Sequence, residues 1–250
     1  MHADVLADGF LAQNLTIRNE AEPKGRQAVA LRSNSNRTVV FGCAIEGFED
    51  SLYAENGVQV YLETDIYGTV DFIFGNAKAV FQRCRILVRR PIPGKHNVVT
   101  AQGCDNNMYE NSGFVFHRCS VEADPNPWPV GQNLTGVETF LGRPYRKYSH
   151  VIFMECQLSD VVSAAGWVAW DRAHVINNTT KSVRYMEYAN TGPGADTTHR
   201  VDWEGVHVLH DPAQVAKYTI DAFISGKEWI PHQIPYDHEV PSGRGAIIVN

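Results

Sequence analysis

No stretch of the chain reaches the roughly 18 to 20 consecutive apolar residues that a bilayer-spanning helix needs, so the sequence offers no membrane span. The first residues, Met1-His2-Ala3-Asp4, carry neither a basic n-region nor an apolar h-region, and no secretory leader is read there. Basic charge is scarce: 22 Lys and Arg stand against 28 Asp and Glu, a formal net charge of -6. That balance argues against general nucleic-acid binding, which relies on a basic face. It also gives no general attraction for a strongly anionic polymer, whereas a polymer whose acids are masked as neutral esters meets no repulsion. Cysteine is sparse: Cys43, Cys84, Cys104, Cys119 and Cys156 form no C-x-x-C pair, which argues against a zinc ribbon or a thioredoxin-like motif. An odd number of cysteines also leaves at least one thiol unpaired.

What is present is an ordinary globular composition, with 44% hydrophobic and 20% charged residues in 250, enough for one large domain. Runs rich in Val, Ile, Phe and Thr recur between polar turns: Asn14 to Arg18, Thr38 to Ala44, Gln59 to Leu62, Phe72 to Phe74, Ala79 to Val88, Asn97 to Gln102, Gly113 to Glu122 and His150 to Leu158. Each is about strand length, and their spacing suits an all-β repeat. Phe81-Gln82-Arg83-Cys84-Arg85-Ile86, Phe116-His117-Arg118-Cys119-Ser120-Val121 and Phe153-Met154-Glu155-Cys156-Gln157-Leu158 share the form aromatic-x-x-Cys-x-aliphatic, and Val40 to Ile45 is a looser copy. Such repeats point to a β-helix whose coils stack like on like, with a β-sandwich as the alternative. Past Gly166 the texture changes. Asp211-Pro212 reads as cap and first position of a helix, Ala213 to Ile224, belonging to a segment packed on the solenoid. The residues after Tyr236 read as a loose tail, so the division is a domain over 1–236 and a tail over 237–250.

Three segments place polar groups where a simple core would not: Gly25 to Arg32; Gly47 to Tyr53 with Tyr67 to Asn76; and Leu141 to Tyr145. Asp71 lies in Val70-Asp71-Phe72-Ile73-Phe74, where a carboxylate is costly to bury without a partner. A surface turn, or an architectural ion pair with a buried arginine, would also account for it. The acidic pair Glu49-Asp50 reads most simply as solvated.

Taken in order, these segments resemble the signature motifs of the pectin methylesterases, above all their plant branch. Gly68-Thr69-Val70-Asp71-Phe72-Ile73-Phe74-Gly75-Asn76-Ala77 is similar to the central motif throughout, Gln27 to Arg32 to the first glutamine motif, Asp50-Ser51-Leu52-Tyr53 to Asp-Thr-Leu-Tyr, and Leu141-Gly142-Arg143-Pro144 to the arginine motif. Ala165-Gly166-Trp167 and Asn190 to Ala195 are also family-like, so the resemblance runs from about Asp8 to Pro235. It implies a right-handed parallel β-helix, no metal and no cofactor. It implies Asp71 as nucleophile, Asp50 as general acid and then base, Arg143 as the partner that keeps Asp71 ionised, and Gln27 as an oxyanion donor. Tyr53, Phe74, Tyr145 and Trp167 would line a sugar groove. It further implies methyl-esterified homogalacturonan as substrate, a proteinaceous pectinesterase inhibitor as candidate partner, a monomer, and a secreted, cell-wall setting. A bridge between Cys84 and Cys119 is implied for a secreted protein.

Three departures qualify the resemblance. Glu49 stands where the family has a second glutamine donor, so a glutamate in the oxyanion site would depress activity most at neutral and alkaline pH. Tyr145 replaces a tryptophan. The opening coils of the family domain are missing, which leaves the first strand, near Asn14 to Arg18, as an exposed end and lowers the expected stability. A pectin-binding pseudoenzyme is therefore the alternative to an active esterase.

Overall fold

Short β-branched and aromatic segments turn from one sheet to the next here rather than folding back as hairpins. They pair instead with the equivalent segment one coil away. The structure is a computed structural model, and it describes residues 3–105, 111–127, 133–171 and 179–239. Its strands form three parallel sheets. Sheet A holds Ala3–Val5, Leu31–Asn34, Leu52–Asn56, Ile73–Gly75, Asn97–Gln102 and Thr139–Gly142. Sheet B holds Leu11–Gln13, Thr38–Phe41, Val58–Leu62, Lys78–Gln82, Gly113–His117, His150–Met154, Arg184–Tyr188 and Val206–Leu209. Sheet C holds Thr16–Arg18, Ala44–Glu46, Asp65–Gly68, Arg85–Val88, Ser120–Ala123 and Gln157–Leu158. The chain visits A, B and C in turn and then rises one strand, which is the expected parallel β-helix.

The corner from B to C explains why several long apolar runs are each two strands. Asn14, Gly42, Glu63, Arg83, Arg118, Glu155 and Ala189 stand at equivalent positions, all with φ between 47 and 60°. A left-handed non-glycine residue costs on the order of 1–3 kcal/mol and persists only when its surroundings hold it. Here the corner N–H donates to the next coil: Glu63 to Gln82 O at 3.1 Å, Arg83 to His117 O at 3.0 Å, Arg118 to Met154 O at 3.1 Å and Glu155 to Tyr188 O at 2.8 Å.

Inside the helix, like stacks on like. Tyr61, Phe81, Phe116 and Phe153 form one pile with centroids 4.7, 4.6 and 4.4 Å apart and planes within 9°. That spacing is close to the distance between neighbouring strands. Val40 lies level with Tyr61 and starts the looser copy of the repeat. The five cysteines are all buried free thiols, so the bridge expected between Cys84 and Cys119 is not formed. Three of the thiols instead donate to a carbonyl of the preceding coil: Cys84 to Tyr61 O at 3.3 Å, Cys119 to Phe81 O at 3.3 Å and Cys156 to Phe116 O at 3.4 Å.

A second core lies outside sheet B, where Val60, Leu62, Val80, Val115 and Ile152 meet Val215, Tyr218, Ile220, Phe223 and Ile224. The single helix expected over Ala213 to Ile224 is two. Pro212–Val215 is capped by Asp211 in a capping box, and Ile220–Ile224 is capped by Thr219, whose hydroxyl accepts from Ala222 N at 3.2 Å. Thr219 is extended, and that breaks the run. Asp237, assigned to a loose tail, is tied down: its N–H donates to Gln82 Oε1 at 2.7 Å and its carboxylate accepts from Arg118 at 3.0 Å. Residues 240–250 of that tail lie outside the described residues. Leu6, Leu11 and Leu15 of the first coil are exposed.

Phe116 is fully buried between two parallel rings. Phe116→Ala should therefore cost about 3–5 kcal/mol of unfolding free energy, a loss read from the urea midpoint at unchanged m-value.

Candidate active site

The corner from sheet C to sheet A carries the chemistry. Asp50 and Asp71 occupy it on successive coils with φ of 65° and 51°, and the residues two further on, Leu52 and Ile73, pair directly. Aspartate tolerates this conformation better than most residues, because its short polar side chain bonds locally. The coils are latched on both sides, Asp50 N to Val70 O at 3.1 Å and Leu52 N to Phe72 O at 2.8 Å. Gly68 lets the chain turn this tightly on the Asp71 coil: a Cβ there would meet Phe72 Cβ at 2.1 Å. The two aspartates thus sit about one strand spacing apart, roughly 4.8 Å at the backbone.

Arg143 follows the last strand of sheet A. Its Nε donates to Asp71 Oδ1 at 2.8 Å and its Nη2 to Asp71 Oδ2 at 2.5 Å, a fork that engages both carboxylate oxygens. Tyr53, Phe74 and Ala101 lie level on sheet A, and Arg143 comes next to Gly142, which pairs with Thr100. The small side chain of Ala101 leaves room for Arg143 to reach across an intervening strand.

The two carboxylates are inequivalent. Burial pushes Asp71 above the ordinary carboxylate range, against the opposing pull of Arg143, His96 and Lys95, so the arginine moderates a rise rather than producing the low pKa expected from the pair alone. Asp50 is pushed up to about 7 by burial, by the charge of Asp71 and by Glu49. The two carboxylates repel each other equally, but the Arg143 fork is made to Asp71, so the cost of that repulsion falls on Asp50. Asp71 therefore loses its proton first. Glu49 is raised by burial and by the Asp71 charge, against Lys95, Arg143 and Arg26.

Tyr53 and Phe74 stack at 4.3 Å and 8° on the outer face of sheet A, both partly exposed. Tyr145 is 40% exposed and lies 5.2 Å from Trp170, over whose ring the Arg143 guanidinium sits at 4.1 Å. Trp167, expected in the groove, is fully buried and stacked on Tyr185 at 4.2 Å. The reason is that residues 166–168 extend sheet A: Leu141 N bonds Gly166 O at 2.7 Å, Val168 N bonds Gly142 O at 3.1 Å, and alternation turns Trp167 inward. The aromatic that this run brings to the site is Trp170, three positions on. Gln27 is exposed on the coil before Asp50, beside Glu49, whose carbonyl accepts from Ala28 N at 3.0 Å. Sequence reasoning also missed His96, which acts on Asp71 and packs edge-on against Phe140 at 5.2 Å. A lone histidine in Gly94-Lys95-His96 gave no signal.

Fold and site together define the class: a parallel β-helix with an inequivalent aspartate pair and an arginine fork, open to solvent beside aromatic faces. The chain belongs to the pectinesterase family, whose model, described as Pectinesterase, matches residues 2–227. Pectinesterase 2 of Citrus sinensis is 45% identical over 228 residues, covering 91% of this chain and 43% of that protein. The probable pectinesterase/pectinesterase inhibitor 17 of Arabidopsis thaliana is 43% identical over 231 residues, covering 92% of this chain and 43% of that protein. The chain thus spans less than half the length of these curated relatives. Among solved structures, the pectin methylesterase from carrot superposes with a TM-score of 0.86 at 36% identity, over 94% of this chain and 72% of that one. The Aspergillus niger enzyme gives 0.76 at 28%, over 92% and 68%. No helix among the described residues is long and apolar enough to cross a membrane, and no cluster there could hold a metal ion.

The raised pKa of Asp50 has a stability consequence. Below pH 4 the group is protonated both folded and unfolded, so it contributes nothing. From the ordinary aspartate value up to about 7 the folded state keeps a proton that the unfolded chain has lost, and stability falls with rising pH. Asp50→Asn removes that cost and keeps the left-handed corner. The variant should melt higher than the parent at pH 8 and alike at pH 4, as read by calorimetry at the two pH values.

Proposed function

We propose that the chain hydrolyses methyl esters of polygalacturonate, releasing methanol and leaving pectate, in the remodelling of a cell wall outside the cell. The observation that carries this reading is the pair of stacked carboxylates, one forked by Arg143 and charged first, the other holding its proton to about pH 7. The Asp71 carboxylate attacks the ester carbonyl carbon, and the carbonyl electron pair moves to oxygen. On collapse, Asp50 gives its proton to the methoxy oxygen, which leaves as methanol, and an acyl anhydride joins Asp71 to the uronate. Asp50, now ionised, takes a proton from water, whose oxygen attacks the acyl carbon and frees Asp71. Arg143 keeps Asp71 aimed throughout. In this reading Gln27 donates to the oxyanion, and Tyr53, Phe74, Tyr145 and Trp170 offer flat faces to sugar rings. A monomer that a proteinaceous inhibitor can engage fits the family membership.

Asp71→Asn and Arg143→Ala should each abolish methanol release from esterified pectin while the far-ultraviolet circular dichroism is kept. Wild-type turnover by Asp71→Asn would remove the nucleophile from the scheme. A second reading, a pectin-binding protein with impaired catalysis, draws on Glu49, a half-buried glutamate beside the reacting pair. Absence of methanol release from the unaltered chain with pectin binding retained would favour it.

The pH profile separates the two roles of Glu49. Free enzyme needs Asp71 ionised and Asp50 protonated, so kcat/KM should decline above about pH 7. Glu49→Gln supplies an amide donor in place of a carboxylate, and should raise the rate at pH 5 to 6 by up to the roughly hundredfold or more that one oxyanion donor is worth. The same change removes a charge that holds the proton on Asp50, so the declining limb should move to lower pH. The gain is therefore largest in acid, contrary to the alkaline gain expected from the oxyanion argument alone. An immobile limb in the variant would show that Glu49 does not act on Asp50.

A further inference from the structure

Around the next corner from Phe74 the surface changes sign. Lys78, Arg184 and Lys217 line a cavity of about 340 Å³, together with His150, Tyr218 and Phe223. No Asp or Glu is among the described residues that line it, in a chain of net charge -6. Strand register fixes two of these cations, Lys78 and Arg184, and the packed segment brings Lys217 to them. Lys78 opens its strand level with Gly113, and His150 opens the next but one level with Arg184. Gly113 has φ +146°, and a Cβ there would meet His150 Nδ1 at 2.7 Å, so the glycine gives its place to the histidine ring. Lys78 and Arg184 thus stand three strand spacings apart, about 14 Å at the backbone.

The other wall comes from the segment packed on sheet B. His150 ties it down: Nδ1 faces the Ser112 carbonyl at 3.2 Å and Nε2 faces the Tyr218 hydroxyl at 3.2 Å. A carbonyl only accepts, so Nδ1 carries the hydrogen, and Nε2 can accept from Tyr218. A neutral ring satisfies both contacts. Phe223 holds the Lys78 ammonium over its ring at 4.8 Å, at the edge of the cavity.

Resting on the pectin reading above, we propose that this row of cations, one corner from the active site, binds the free carboxylates of already de-esterified uronate units on the same polymer. Cations spread along a line suit a linear polyanion better than one compact ion. Lys78 is four positions on from Phe74, a reach of at most about 14 Å. The cation row attracts free uronates and exerts no such pull on neutral esters. Product units would thus be drawn off the aspartates as esterified units stay over them.

The test uses unesterified hexagalacturonate, which offers no ester, titrated calorimetrically into the full chain at low salt. Lys217 is exposed, so Lys217→Glu should fold as the parent does and raise Kd about tenfold, the scale of one charge-assisted contact. Lys78→Gln with Arg184→Gln should raise it further, with circular dichroism matched to the parent. The initial rate on fully esterified pectin should be unchanged in Lys217→Glu, and the later part of the time course, rich in free acid, should slow. An unchanged Kd in folded Lys217→Glu overturns the proposal. Full displacement of the hexamer by inorganic phosphate at equal charge concentration overturns the uronate assignment and leaves a small-anion site. Absence of methanol release with a Kd still sensitive to Lys217 would sink the esterase reading and spare this one.

Discussion

Each coil of this chain must hydrogen-bond to the coils on either side, and the register of that contact decides everything placed on it. Pairing of Leu52 with Ile73 puts Asp50 and Asp71 at the same corner on neighbouring coils. Pairing of Phe74 with both Tyr53 and Ala101 puts two rings face to face and leaves the gap through which Arg143 reaches. A slip of one residue would turn every inward side chain out and send both carboxylates away from the corner. The interior guards against that slip, because the four-ring pile from Tyr61 to Phe153 and the thiols next to it fit only in one alignment.

The same constraint creates the electrostatic problem that the site exploits. Two carboxylates one strand apart in a half-dry corner cannot both ionise easily. Arg143 resolves the conflict in favour of Asp71 by donating through two nitrogens at once. Asp50 has no such fork among the described residues and keeps its proton to about pH 7. Lysine could supply the charge but not the planar fork, so it would favour the anion without fixing its direction.

Much of this was legible in the sequence, and what was not has physical reasons. The repeat of Phe81, Phe116 and Phe153 with its cysteines identified stacked coils, since side chains that pile up must recur in kind. Most of the corners were invisible because, Asn14 and Gly42 apart, their left-handed positions carry residues such as Glu63, Arg83, Arg118 and Glu155; hydrogen bonds to the next coil hold them, and no local propensity reports that. The aspartates and the arginine stood out because charge in an apolar run is expensive. Trp167 and Trp170 were exchanged because the choice of inward or outward face depends on a bridge to Gly142, far away in sequence. The helix after Asp211 was read as one because nothing local distinguishes Thr219 as interior residue from Thr219 as a second cap.

Charge on this molecule is best understood by position rather than by sum. The net value of -6 describes a protein indifferent to polyanions, yet it averages an acidic corner on one side of a coil with a basic row on the next. Both arise from the same geometry, because strand register fixes which side chains share a level on neighbouring coils. Screening erases either field beyond about 8 Å at physiological salt, so each acts only on what touches it. An ester-bearing unit and its acid product differ by one charge, and a surface patterned at this scale can tell them apart where the overall field cannot.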